Sequence, residues 1–358
     1  MIRPHARVLV ALSGLLVALG TLAGCDRKPR LVPESSDSGR IRADSFAVYA
    51  RRAGEQWDAG EDDAAAGLTA QVVHEALRAR PSEPWAERAR SVLDSLGFAA
   101  EVAGVDGVAL VNLFSRSRPE GDSWPYLYWQ EAAVFHMQSV EGRGLHLQDI
   151  ATRGFDSSGS PIDTSQVAAV YTRRAGGGTQ PMLLVWRRAG GGRWDLLQTL
   201  GPDSLGGVGT AEFTSGDTDI EVTSRTFHST PYFEECATCP HVYVLRHFRW
   251  TKQGFARADE QRVPSPYSTF TAFISALVNN DQERAMQVVA DPTLVDFARR
   301  YAWNEAGLGR WRVAPATDEG AIEMVFFRGP SEAYRISFES RDGEYVVSGF
   351  EATQRSVE

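Results

Sequence analysis

The chain has 358 residues, with 37 Lys+Arg against 46 Asp+Glu and a formal net charge of −9. An acidic surface of this kind repels phosphate backbones, which argues against nucleic-acid binding. Lys28 and Lys252 are the only lysines, one in a polar N-terminal stretch and one in an expected turn. Schiff-base and Ser–Lys chemistry need a lysine that can lose its proton, and Arg cannot substitute, so those enzyme classes are nearly excluded.

Arg3 and Arg7 give a positive start, and the apolar run from Val8 to Leu22 is broken by Ser13, Gly14, Gly20 and Thr21. These are the parts of a secretory signal. The run is short of the ~20 residues that span a bilayer comfortably. Leu22-Ala23-Gly24-Cys25 resembles the lipobox of bacterial lipoproteins. The resemblance implies a signal peptide over 1–24, a diacylglyceryl group on the Cys25 sulfur and acylation of the amine that cleavage frees. One acyl chain binds marginally, whereas two or three anchor stably. The expected address is therefore the cell membrane or outer membrane, facing the periplasm or exterior. In enteric members, Asp after the lipidated Cys favours the inner membrane. Asp26 stands there, but the rule varies between bacteria and leaves the choice open. Losing Arg3 and Arg7 with the signal leaves 35 basic against 46 acidic residues, or −11. Residues 25–42, rich in Pro, Ser and charge, read as a flexible tether.

Residues 43–100 read as helical. Phe46, Tyr49, Ala50, Ala53 and Trp57 share one helical face, and Leu68, Val72, Ala76 and Leu77 form a second stripe. Ser82 can cap a third helix bearing Trp85, Ala89, Val92, Leu93 and Leu96, with Gly97 as its stop. Residues 101–263 read as an antiparallel β domain. Val108–Phe114, Gln166–Thr172, Met182–Arg188, Arg193–Leu200, Ile220–Phe227 and Val242–Trp250 have strand-like composition and length. Arg-Arg-Ala-Gly-Gly-Gly at 173–178 recurs at 187–192, which predicts a strand plus glycine turn used twice in a meander. A sandwich, an open barrel and a partial propeller remain open.

Pro264-Ser265-Pro266 marks an expected hinge between separately folding units. After it, Phe270, Phe273, Ile274 and Leu277 follow a helical template, Asp281 can cap a second helix and Asp291-Pro292 a third. Trp311–Ala314, Ala321–Arg328, Ala333–Phe338 and Tyr345–Phe350 read as strands, with Asp342-Gly343 as a hairpin turn between the last two. This order of helices and then antiparallel sheet over 267–354 resembles the nuclear-transport-factor-2-like (cystatin-like) α+β cone.

Motifs that would carry chemistry fall short. The glycine runs, including Gly206-Gly207-Val208-Gly209, lack a following Gly-Lys-Ser/Thr and read as turns. Ser204 sits in a near miss of a nucleophile elbow, with Pro202 where a glycine belongs. His74-Glu75 opens like a zinc motif, but Arg78 replaces the second His, so His74 reads as a polar-face helix residue. Asp217, Asp219 and Glu221 offer too few ligands for calcium. The dense aromatic cluster of Trp124, Tyr126, Tyr128 and Trp129 around Leu127 reads as core on both faces of a strand rather than a sugar platform.

Cys236-x-x-Cys239-Pro240-His241 is the most informative internal motif. Zinc would need further ligands, such as His228 across the expected hairpin. Export to an oxidising compartment favours a Cys236–Cys239 disulfide, since Cys25 is expected to be lipidated and these are the other two thiols. The resulting expectation is a multidomain α+β protein: an N-terminal helical bundle, a central antiparallel β domain and a small C-terminal α+β domain. No catalytic, metal or cofactor set emerges. The reading leans away from an enzyme and towards a membrane-anchored binding or accessory lipoprotein with an envelope protein or glycan as partner. The alternatives are an envelope hydrolase whose site assembles from distant residues, and a metal- or redox-linked module at Cys236 and Cys239.

Overall fold

A computed structural model describes residues 38–353, except 106, 116–120, 132, 156–160, 177, 191, 216–219, 315–317 and 319. Cys25, the signal segment and most of the tether lie outside the described residues. From Arg42 onward the chain forms one compact unit, a mixed α+β fold whose helices and antiparallel strands are segregated.

Three helices come first: α1 (Ser38–Ala59), α2 (Asp62–Ala79) and α3 (Trp85–Ser95). Gly60, at φ +75, turns the chain out of α1 in a conformation that suits glycine. Four meanders of four strands each follow. The first sheet holds β1 (Ala100–Val105), β2 (Val108–Phe114), β3 (Ser123–Glu131) and β4 (Val134–Ser139). The second holds β5 (His146–Phe155), β6 (Pro161–Ala175), β7 (Gly178–Arg188) and β8 (Trp194–Leu200). A one-turn helix, α4 (Pro202–Leu205), leads to the third, with β9 (Val208–Ser215), β10 (Ile220–Phe227), β11 (Val244–Thr251) and β12 (Gly254–Arg262). The two arginine–glycine repeats are the turns β6–β7 and β7–β8, closing at Ala175↔Gly178 and Arg188↔Trp194.

Side-chain alternation stacks these layers. On β3, Trp124, Tyr126 and Tyr128 face the helices and pack with Trp57, Ala66 and Val73. Leu127 and Trp129 point the other way, against Val167 and Trp186 of the second sheet. The opposite face of the second sheet, with Ala168, Val170, Leu183 and Val185, packs on Val222, Phe248 and Trp250 of the third. The aromatic cluster is thus core on both faces. His74 differs from expectation: its Nε2 lies 3.2 Å from the Phe135 carbonyl, so it faces β4 rather than solvent. The contact meets an outward-facing carbonyl of an edge strand that would otherwise lack a ladder partner.

Glutamine side chains pin the stack at its rim. Gln138 on β4 donates to the Trp194 carbonyl (2.6 Å) and accepts from the Trp194 N–H (3.0 Å). Gln198 on β8 does the same to Phe255 on β12, at 2.9 and 2.7 Å. Each amide imitates one backbone pair of a β-ladder, joining fourth strand to fourth strand across a sheet boundary. The glycines at 206–209 serve the crossing from second to third sheet. A Cβ on Gly206 would fall 1.6 Å from the Arg246 guanidinium, because Ser224, Thr226 and Arg246 all converge on the Leu205 carbonyl.

The C-terminal region comprises α5 (Pro266–Val278), α6 (Gln282–Gln287), α7 (Thr293–Arg300) and a fourth sheet of β13 (Trp311–Val313), β14 (Glu323–Arg328), β15 (Glu332–Arg341) and β16 (Glu344–Ala352). Ser265 and Ser268 form a reciprocal capping box at the start of α5. Asp342 and Gly343, at φ +54 and +85, make the hairpin expected between β15 and β16. Arg328, 2 % exposed, donates to the Tyr301 and Ala302 carbonyls at the end of α7 and pairs with Glu332. Burial of a guanidinium is tolerable only with such full pairing.

Candidate functional site

The connection from β10 to β11 is not a tight hairpin. Thr226↔Val244 is the last pair, and the chain between them leaves the third sheet for the C-terminal core. Pro231 and Pro240 have no N–H to offer a ladder, and Tyr232, at φ +68, turns the strand direction. Phe233, 2 % exposed, enters the core and meets Tyr267 and Phe270 edge-on at 5.7 and 6.1 Å. There it pairs in parallel with β13. Glu234 N–H donates to the Trp311 carbonyl (2.8 Å), and Trp311 N–H donates to the Tyr232 carbonyl (2.9 Å).

Beyond Phe233 the loop carries the residues singled out in the sequence. Cys236 and Cys239 bring their sulfurs to 2.19 Å, a bonding distance. Cys236 is exposed and Cys239 half-buried, the latter packed against the C-terminal core. Glu235 and His241 flank the pair, and His241 Nδ1 stands 3.6 Å from Glu235 Oε2, an ion-pair separation too long for a hydrogen bond. Tyr267 donates from its hydroxyl to Glu235 Oε1 (2.9 Å), and Thr230 N–H points at Oε2 (3.3 Å). Burial pushes the Glu235 carboxyl upward, but His241, Thr230 and Tyr267 outweigh that and leave it below its ordinary value. Burial first, and then the Glu235 charge, push the Tyr267 hydroxyl well above its ordinary value. His241 lies face to face with Phe227, ring centres 3.6 Å apart, and Tyr243 meets both rings edge-on. The Arg225 guanidinium lies over the Tyr243 ring at 3.5 Å. Both His241 ring nitrogens lack a hydrogen-bond partner among the described residues.

This cluster can hold charge and join two parts of the molecule. Its carboxylate and imidazole are largely enclosed, at 7 % and 4 % side-chain exposure. The other sequence candidates are scattered. Ser204 is exposed within α4. Asp217 and Asp219 lie outside the described residues, and Glu221 pairs with Arg249 at 3.4 Å. Among the described residues, no group of three or more His, Cys, Asp or Glu is placed to hold a metal. Sequence reading missed Glu235, Tyr267 and Phe233. Glu235 adjoins a cysteine and offered a weak local signal, whereas Tyr267 is 32 positions away and offered none. A separate feature lies at the end of α7, where Phe297 and the C-cap residue Tyr301 are 46 % and 44 % exposed.

No family model matches the chain, and no curated protein matches it. Among solved structures, a rhamnogalacturonan lyase, YesW, aligns over 72 % of this chain with 10 % identity and a TM-score of 0.18. The chain spans 52 % of that protein's length. At that score the alignment carries no weight for fold or function.

Proposed function

We propose that the chain is a membrane-anchored cell-envelope lipoprotein, held by lipid on Cys25, acting as a binding or accessory protein. The observation that carries the anchorage is Leu22-Ala23-Gly24-Cys25 behind a basic start and a short apolar run. The binding role draws support from α7. Phe297 and Tyr301 sit one turn apart, with the Arg300 guanidinium over the Phe297 ring at 5.0 Å. Exposed aromatics beside arginine are the composition of partner surfaces. We take the C-terminal region, helices followed by an antiparallel sheet, as a nuclear-transport-factor-2-like unit. Its interior is filled by Phe270, Trp303, Trp311 and Phe326, so binding on this reading uses the outside.

Cys25→Ser tests the anchorage. The wild type should partition with membranes and incorporate labelled fatty acid. The variant should accumulate as an unprocessed precursor or in the soluble fraction. Wild type in the membrane fraction without incorporated fatty acid sinks the lipoprotein reading.

A further inference from the structure

We propose that Cys236 is a thiol–disulfide exchange site whose co-reactant is an external dithiol, and that the bridge to Cys239 locks the loop at 228–243 into the C-terminal core. The inference requires the bridge to form, but not Cys25 to be lipidated. Glu235 and His241 lie immediately outside the two ends of Cys236-Ala237-Thr238-Cys239-Pro240 and face each other at 3.6 Å. The disulfide therefore closes a small ring at the tip of the loop, around Ala237 and Thr238, and a turn bond from Cys239 N–H to the Cys236 carbonyl (3.0 Å) closes the same ring. The segment that the loop delivers to the C-terminal core runs directly into that ring: Glu235 to Tyr267, Phe233 into the aromatic cluster, and Tyr232 and Glu234 to the Trp311 backbone.

The two sulfurs differ in access. Cys236 is exposed and Cys239 is half-buried against the core, and exchange depends on which sulfur an incoming thiolate can reach. A thiolate of the dithiol attacks Cys236 Sγ and forms a mixed disulfide. The Cys236–Cys239 bond breaks, and Cys239 leaves as a thiolate that takes up a proton. The second thiolate of the dithiol then attacks its partner sulfur and releases Cys236, which is protonated in turn. The dithiol departs as its own disulfide, and its two electrons have reduced the protein bridge. With that ring open, Glu235 and His241 separate and the strand-like pairing of residues 232–234 with β13 loosens, while the first two sheets keep their packing.

Two measurements on the full chain test this. In the first, oxidised protein is treated briefly with glutathione, quenched with iodoacetamide and mapped by peptide mass spectrometry. The proposal expects glutathione on Cys236 and the alkyl group on Cys239; glutathione on Cys239 overturns the assignment of the exchange site. In the second, deuterium uptake is compared between oxidised protein, protein reduced with dithiothreitol and the Cys236→Ser/Cys239→Ser variant. Several-fold faster uptake at the Glu234 and Trp311 amides, with the first and second sheets unchanged, is the expected result. Equal uptake in all three forms shows the bridge is not a lock, and uptake rising through every sheet shows that it supports the whole fold instead; either overturns the proposal.

Discussion

Glu235 receives Tyr267 and Thr230 and faces His241 within a nearly closed site, so its charge is tied to the folded state. Its folded carboxyl titrates below the ordinary 4.5, because its partners outweigh the cost of burial. A depressed carboxyl contributes stability that is fully present above the unfolded value and is lost as pH falls through the folded one. Glu235→Gln should thus lower stability at neutral pH and make the acid limb shallower. Urea unfolding at a series of pH values measures this, and parallel curves for the two proteins would refute it. The residue scale also shows what a sequence exposes. Cys236 and Cys239 are near neighbours, so their spacing makes the pairing legible. Tyr267 reaches Glu235, and Arg328 reaches Tyr301, across 32 and 27 positions. No local pattern encodes such meetings, since they depend on how layers dock.

At the scale of elements, Gln198 stands in for a ladder pair between β8 and β12. Replacing it with Ala leaves the Phe255 N–H and carbonyl without those bonds. An unsatisfied partly buried group costs about 1–3 kcal/mol, so Gln198→Ala should lower the unfolding free energy by that much, read as a lower denaturation midpoint with an unchanged slope. A neutral variant would show that water replaces the amide at no cost. Strand legibility followed burial. β2 and β10 were read at the bounds the structure gives, because β2 is buried throughout and β10 alternates. β14 to β16 are signalled by strand-like composition and by Asp342-Gly343. β12 was not legible: seven of its nine residues are exposed, and its polar run Arg257-Ala258-Asp259-Glu260-Gln261-Arg262 carries no apolar period. Exposed edge strands are charged to discourage mispairing, which also hides them from a hydrophobicity reading.

For the whole molecule, an expected hinge at Pro264-Ser265-Pro266 meets a C-terminal core that draws Phe233 from well before it. Phe233→Ala in the full chain should cost about 3–5 kcal/mol, the range for emptying a buried phenylalanine site. The loss should appear in the fluorescence of Trp303 and Trp311, which share that core. For the same reason the segment 267–358 alone should unfold with less cooperativity than the C-terminal region does in the intact chain. A Phe233→Ala protein as stable as wild type would restore the simple hinge. Both edges of the fourth sheet are covered by parallel bridges, Phe233 on β13 and Val289 on β16, and the first of these covers sets an order of maturation. As the polypeptide emerges from its N-terminal end, the loop is complete while β13, nearly 80 residues later, is still unmade. Cys236 and Cys239 can meet at once, being local, whereas Phe233 must wait for its core. Oxidation of the loop can therefore precede assembly of the domain it serves, and the last sheet forms against a template already set.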